Sequence, residues 1–169
     1  MKLHSVINFV LFQAVWFLSL LLEGQSIYVT PLVIALMFYL SKQKKHDAIL
    51  IFKALPLGLL GEYIAVKIGL LEFHSYPFPL WLVFLWASLV LCINSSMSFL
   101  TSLKFWQAFL VCLAFAPASY WAGARFGVLN LQFPLIQFWL IYGLIWSSMF
   151  TLILFINSKI KAVLNTKSL

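Results

Sequence analysis

A single acid, Glu62, stands within a long apolar run, 48–71, that also holds Lys53 and Lys67. An ionisable side chain in such a run must be paired, hydrated or neutralised, which marks it as a candidate functional position. At 100° per residue, Glu62 shares a helix face with Gly58, Ala65 and Gly69, a stripe of small residues suited to close helix packing. The carboxyl is therefore expected to point toward neighbouring helices. Lys53 falls ~180° and Lys67 ~140° from it on the helical wheel. Both lie near enough to the ends of the run to extend toward lipid headgroups.

Run 105–124 offers a partner. Ala114, Ala118 and Ala122 form one small-residue series, with Ser119, Gly123 and Gly127 beside it, and Pro117 frees a backbone carbonyl. Arg125 falls on roughly the face of Ala118, an expected ~9 Å from Glu62 along the helix axis, much of which a guanidinium side chain could cover. With Gln13 and Trp16 in the first run and Asn94 in the fourth, Glu62 and Arg125 complete the candidate polar site. Asn8, Ser95, Ser96, Ser98 and Gln137 are read as interhelical hydrogen-bonding groups worth ~1 kcal/mol each.

Other chemistries have no signature here. His4, His46 and His74 are scattered, without metal-ligand spacing, so no metal and no cofactor is expected. There is no glycine-rich phosphate loop and no Ser or Cys nucleophile paired with a His. Cys92 and Cys112 read as small apolar residues. An enzyme is disfavoured, although acid–base work by Glu62 is left open.

The elements that must position these residues follow from composition. Of 169 residues, 64% are hydrophobic and only 9% charged, against roughly 25% charged in a water-soluble domain. The apolar runs are 5–22, 25–40, 48–71, 79–100, 105–124 and 134–157, each near the ~20 residues that cross a bilayer. Run 25–40 is the shortest and contains Pro31. The runs are continuous rather than alternating, so helices are expected. The fold predicted is all-α: one integral membrane domain over 1–169, with six transmembrane helices. The first run is read as a retained span, because no small-x-small cleavage site follows Leu22.

Charge orients this bundle. Lys2, Lys42, Lys44, Lys45, Lys104, Lys159, Lys161 and Lys167 fall on one predicted side, and Arg125 alone on the other. That bias places both termini in the cytoplasm. The net charge of +7 thus belongs to span ends, and no nucleic-acid partner is expected.

Three segments carry a resemblance: Asn8-Phe9-Val10-Leu11-Phe12-Gln13-Ala14-Val15-Trp16, Leu85-Trp86 through Asn94-Ser95-Ser96, and Pro117-Ala118-Ser119-Tyr120-Trp121-Ala122-Gly123-Ala124-Arg125-Phe126-Gly127. Together they resemble an uncharacterised family of small bacterial inner-membrane proteins, known only as a domain of unknown function. The resemblance implies an inner-membrane location, an acid corresponding to Glu62, and a link to fatty-acid-modifying enzymes of the cyclopropane-synthase type. That family often has a His after the fourth-span Asn, where this sequence has Ser95.

The function expected is a lipid-binding or accessory component of membrane lipid metabolism. Its partners would be membrane lipids and a lipid-modifying enzyme. The alternatives are the substrate-binding membrane subunit of a small-solute transporter and a structural membrane scaffold.

Overall fold

The structure is a computed structural model that describes residues 3–166. It is all-α, apart from two three-residue strands. In order come α1 (Leu3–Leu22), a 3₁₀ segment (Glu23–Tyr28), α2 (Thr30–Leu40), α3 (Lys44–Lys67) and β1 (Leu71–Phe73). Then follow α4 (Leu80–Cys92), α5 (Ser98–Ser102), α6 (Phe105–Phe126), β2 (Leu129–Leu131) and α7 (Leu135–Thr166). Four helical segments are long and apolar enough to cross a membrane: Leu3–Tyr28, Lys44–Lys67, Phe105–Phe126 and Leu135–Thr166. Two shorter apolar helices, Thr30–Leu40 and Leu80–Cys92, complete the bundle.

Local chemistry explains where these helices depart from the predicted runs. Pro31 does not interrupt α2; it occupies the first turn, where its missing N–H has no intrahelical partner to lose. The fourth run is broken at 93–97, where Asn94, Ser95 and Ser96 leave the helix. Those side chains bond to other helices instead.

Two glycines that the sequence places on packing stripes are helix terminators. Gly69 (φ +74°) ends α3, with Leu70 N–H donating to Ala65 O and Gly69 N–H to Val66 O. Gly127 (φ +83°) ends α6 in the same way, with Val128 N–H donating to Gly123 O and Gly127 N–H to Ala124 O. Both are Schellman caps, whose left-handed residue glycine adopts without steric cost. Each cap feeds straight into a strand, and β1 pairs antiparallel with β2, Glu72 opposite Asn130. This small sheet ties the ends of α3 and α6 together, in segments expected to be loops.

Ending α3 at Lys67 also moves that exposed lysine to the helix terminus. It joins Arg125 at the sheet end of the bundle. The opposite end carries Lys42, Lys44, Lys45, Lys104, Lys159 and Lys161; Lys2 and Lys167 lie outside the described residues.

The core runs along α7. Phe138, Tyr142, Trp146 and Phe150 recur every fourth residue and so share one face, buried against α3 and α6. Phe138 stacks on Tyr142 (5.1 Å between centroids) and Trp146 on Phe150 (4.7 Å). The outward faces are apolar too: Phe52, Ile136, Leu32 and Phe115 are all more than two-thirds exposed. A protein apolar both inside and out is built for a hydrocarbon solvent.

Candidate functional site

Glu62 is 1% exposed, and side chains from three other helices converge on it. Trp86 of α4 donates its indole N–H to Oε1 at 3.0 Å. Tyr120 of α6 donates its hydroxyl to the same oxygen. The Tyr142 hydroxyl of α7 lies 3.1 Å from both carboxyl oxygens. The approach depends on small residues in α3. A Cβ on Gly58 would lie only 2.6–2.9 Å from the Trp86 ring, so this glycine lets the indole lie against α3 and reach the carboxyl.

Three neutral donors thus surround one acid, and among the described residues Glu62 has no ion pair. Such an array satisfies a carboxylate by hydrogen bonds alone. If the acid takes up a proton, it becomes a donor, and one tyrosine hydroxyl must turn to accept. The group can therefore hold a proton, but it has little capacity left to grip a ligand directly.

The remaining predicted residues do not gather here. Arg125 is exposed and makes no hydrogen bond or ion pair to Glu62. The α6 partner of Glu62 is Tyr120, five residues nearer the centre of the membrane-length helix. Half-buried Gln13 makes no side-chain hydrogen bond among the described residues. Trp16 packs edge-on against Phe126 (6.3 Å) and lines an apolar cleft instead.

Asn94 belongs to a separate polar cluster at the lysine-rich end. It exchanges amide hydrogen bonds with Asn157 of α7 at 2.9 and 3.0 Å. His46 Nε2 meets Asn157 Oδ1 at 2.7 Å, and Asn94 reaches Asp47 at 3.4 Å. Asn8 accepts from the Ser96 hydroxyl at 2.6 Å and donates to Leu91 O, one of the carbonyls that the end of α4 frees. Ser95, where the resemblance expects a His, meets the ring of His4 from α1 at 3.1 Å. Substituting Asn157 by Ala strips the Asn94 carbonyl and the His46 Nε2 of their partners together. The expected result is a loss of about 1–2 kcal/mol, read from the thermal midpoint of the full chain in detergent.

Trp86 and Tyr120 have a second face. Both line a cleft of about 450 Å³ between α1, α4 and α6. It extends from Phe73 and Leu129 on the strands to Phe99 and Leu100 on α5, so it runs nearly the length of the bundle. Its walls are almost wholly apolar, with the Ser119 and Tyr120 side chains among the few polar groups. The cleft lies within the size range of small-molecule sites.

These features define a helical protein with membrane-length spans, a buried acid at its centre and an apolar cleft beside that acid. The chain belongs to DUF2878, a family of proteins of unknown function, which it matches over residues 5–152. No curated protein and no solved structure matches it.

Proposed function

We propose that the protein is a six-pass membrane bundle that takes the acyl portion of a membrane lipid into the cleft between α1, α4 and α6. On this reading it acts as a lipid-binding or accessory component of lipid metabolism in the bacterial inner membrane.

Hydrogen bonds between helix ends support the six passes. His4 meets Leu40 O, Ser95 meets His4, and Asn94 meets Asp47 and Asn157, which collects these segments at one end. Gln132 meets Glu72, and His74 meets Glu23, at the other. The 3₁₀ segment and α2 together add up to ~28 Å, about one hydrocarbon thickness. The lysine-rich end carries six described cations against two opposite, which favours cytoplasmic termini.

The cleft carries the lipid reading. An acyl chain moving from bilayer to cleft changes one apolar medium for another, so transfer out of water contributes nothing. Binding must come from shape and from the few polar groups in the wall. That favours selection among lipids over tight binding of any one. The Glu62 network holds two wall residues, Trp86 and Tyr120, in place.

Filling the cleft tests this. Ser119 lies in the wall yet is exposed, so Ser119→Trp occupies the cleft without disturbing the core. Photo-crosslinking to a phospholipid with a diazirine-bearing acyl chain, in nanodiscs, is expected to fall about tenfold, equivalent to ~1.4 kcal/mol. Unchanged labelling by a folded variant would rule out acyl binding in this cleft.

A further inference from the structure

At the lysine-rich end lies a second chamber, of about 430 Å³, that shares no lining residue with the cleft. Its walls include Asp47, Lys42, Asn94, Ser95 and Asn8. Asp47 sits in the first turn of α3 and is 3% exposed. Ser41 donates to Oδ2 at 2.5 Å, and Asn94 makes only a long 3.4 Å bond to Oδ1. A carboxylate offers about four lone-pair sites, so capacity remains. Among the described residues Asp47 has no ion pair, and the neighbouring His46 is committed to Asn157. Lys42, in the turn before α3, is exposed and likewise lacks an ion pair. The chamber therefore presents one acid without an ion pair, with the His4 ring also in its wall, and one exposed ammonium.

A groove of about 300 Å³ continues from it, sharing His4, Asn8, Met37 and Lys42. Leu3, Ile7 and Leu11 of α1 and Leu40 of α2 give this groove apolar walls. A polar chamber of both charges joined to an apolar groove matches a molecule with a zwitterionic head and a hydrocarbon tail. We infer that this is a binding site for an aminophospholipid. Its ammonium would meet Asp47, its phosphate Lys42, and one acyl chain the groove between α1 and α2. Asp47 would disfavour lipids of net negative charge, and a trimethylated head would lack the N–H donors that its oxygens can accept.

The test is native mass spectrometry of the full, delipidated chain titrated with phosphatidylethanolamine, phosphatidylcholine and phosphatidylglycerol of one acyl composition. Phosphatidylethanolamine is expected to bind about tenfold more tightly than the other two, as one charge-assisted hydrogen bond allows. Asp47→Asn is expected to remove that preference, and Lys42→Gln to weaken phosphatidylethanolamine several-fold. Equal binding of the three lipids, or a preference that survives Asp47→Asn, overturns the proposal.

Should Asp47→Asn fail to fold, the surface substitutions Lys42→Gln and Ile7→Trp decide the matter. Ile7→Trp fills the groove, and undiminished binding in both variants overturns the site. Soluble phosphoethanolamine is expected not to compete at equal concentration; competition there would mean that the groove takes no tail. Ser119→Trp in the distant cleft is expected to leave this binding unchanged, so the two lipid sites fail or stand separately.

Discussion

Glu62→Ala is expected to destabilise the full chain in detergent by about 2–4 kcal/mol, with Glu62→Gln costing only about 1 kcal/mol. The alanine variant leaves the Trp86 N–H and the Tyr120 and Tyr142 hydroxyls facing a void. Each stranded buried donor costs roughly 1–3 kcal/mol. The full sum is not reached, because the tyrosine rings lie 4.5 Å apart and their hydroxyls can turn toward one another. Membrane reference states also find partners, which lowers the cost of each lost bond. Glutamine keeps the shape and one acceptor oxygen, while its amide can donate to a tyrosine oxygen. Thermal midpoints of the two variants, with near-ultraviolet circular dichroism for the tyrosine and tryptophan environment, check the order. Equal midpoints for wild type and Glu62→Ala would mean that the network does not hold the helices together.

The helical, membrane-compatible character of the chain is legible in its sequence, because continuous apolar runs leave the backbone no other way to satisfy its polar groups in hydrocarbon. The inward direction of Glu62 is legible for a similar reason: Gly58 and Ala65 share its face, and both are buried. Its partners are harder to read. A charge suggests an opposite charge, which draws attention to Arg125, yet the structure supplies Tyr120, Tyr142 and Trp86. Aromatic residues are frequent here, 18% of the chain, so three of them do not stand out from the others. Position supplied the missing signal. Tyr142 belongs to a column with Phe138, Trp146 and Phe150, and Tyr120 lies deeper in its helix than Arg125.

The β1–β2 pairing left a trace as well. Gly69-Leu70-Leu71-Glu72-Phe73 and Gly127-Val128-Leu129-Asn130-Leu131 share one pattern: a terminating glycine, two apolar residues, then a polar and an apolar one. Each is short, and three-residue strands carry too little alternation to register alone. Only their shared context, each following a long apolar helix, separates them from loops. Asn94 misleads for the opposite reason. It falls within an apolar run of helical length, where the local sign of a break, the triplet Asn94-Ser95-Ser96, is short. The cause lies at a distance, in Asn157, Asp47 and Asn8, which offer the segment 93–97 bonds that a continuous helix would forgo.

The glycines of α3 give the other large effect, and here two similar substitutions should part company. A Cβ on Gly58 would lie 2.6, 2.8 and 2.9 Å from three atoms of the Trp86 ring. That ring is rigid and backed by Trp146 at 5.7 Å between centroids, so it can yield only by moving as a whole toward the cleft. Gly58→Ala must push the indole off Glu62. Overpacking costs about 1–3 kcal/mol and the lost hydrogen bond about 1 more. The roughly 1 kcal/mol that alanine gains over glycine in a helix does not offset them. A Cβ on Gly61 would instead meet the sulfur of Met149, on a flexible side chain that can move aside. There the helix propensity of alanine and the small repacking cost nearly cancel. Gly58→Ala is therefore expected to lower stability by about 1–3 kcal/mol and to shift tryptophan fluorescence, while Gly61→Ala stays within about 1 kcal/mol of wild type. Equal losses at the two positions would show that α3 tolerates no added methyl group on this face, and the particular fit of Trp86 against Gly58 would then explain nothing.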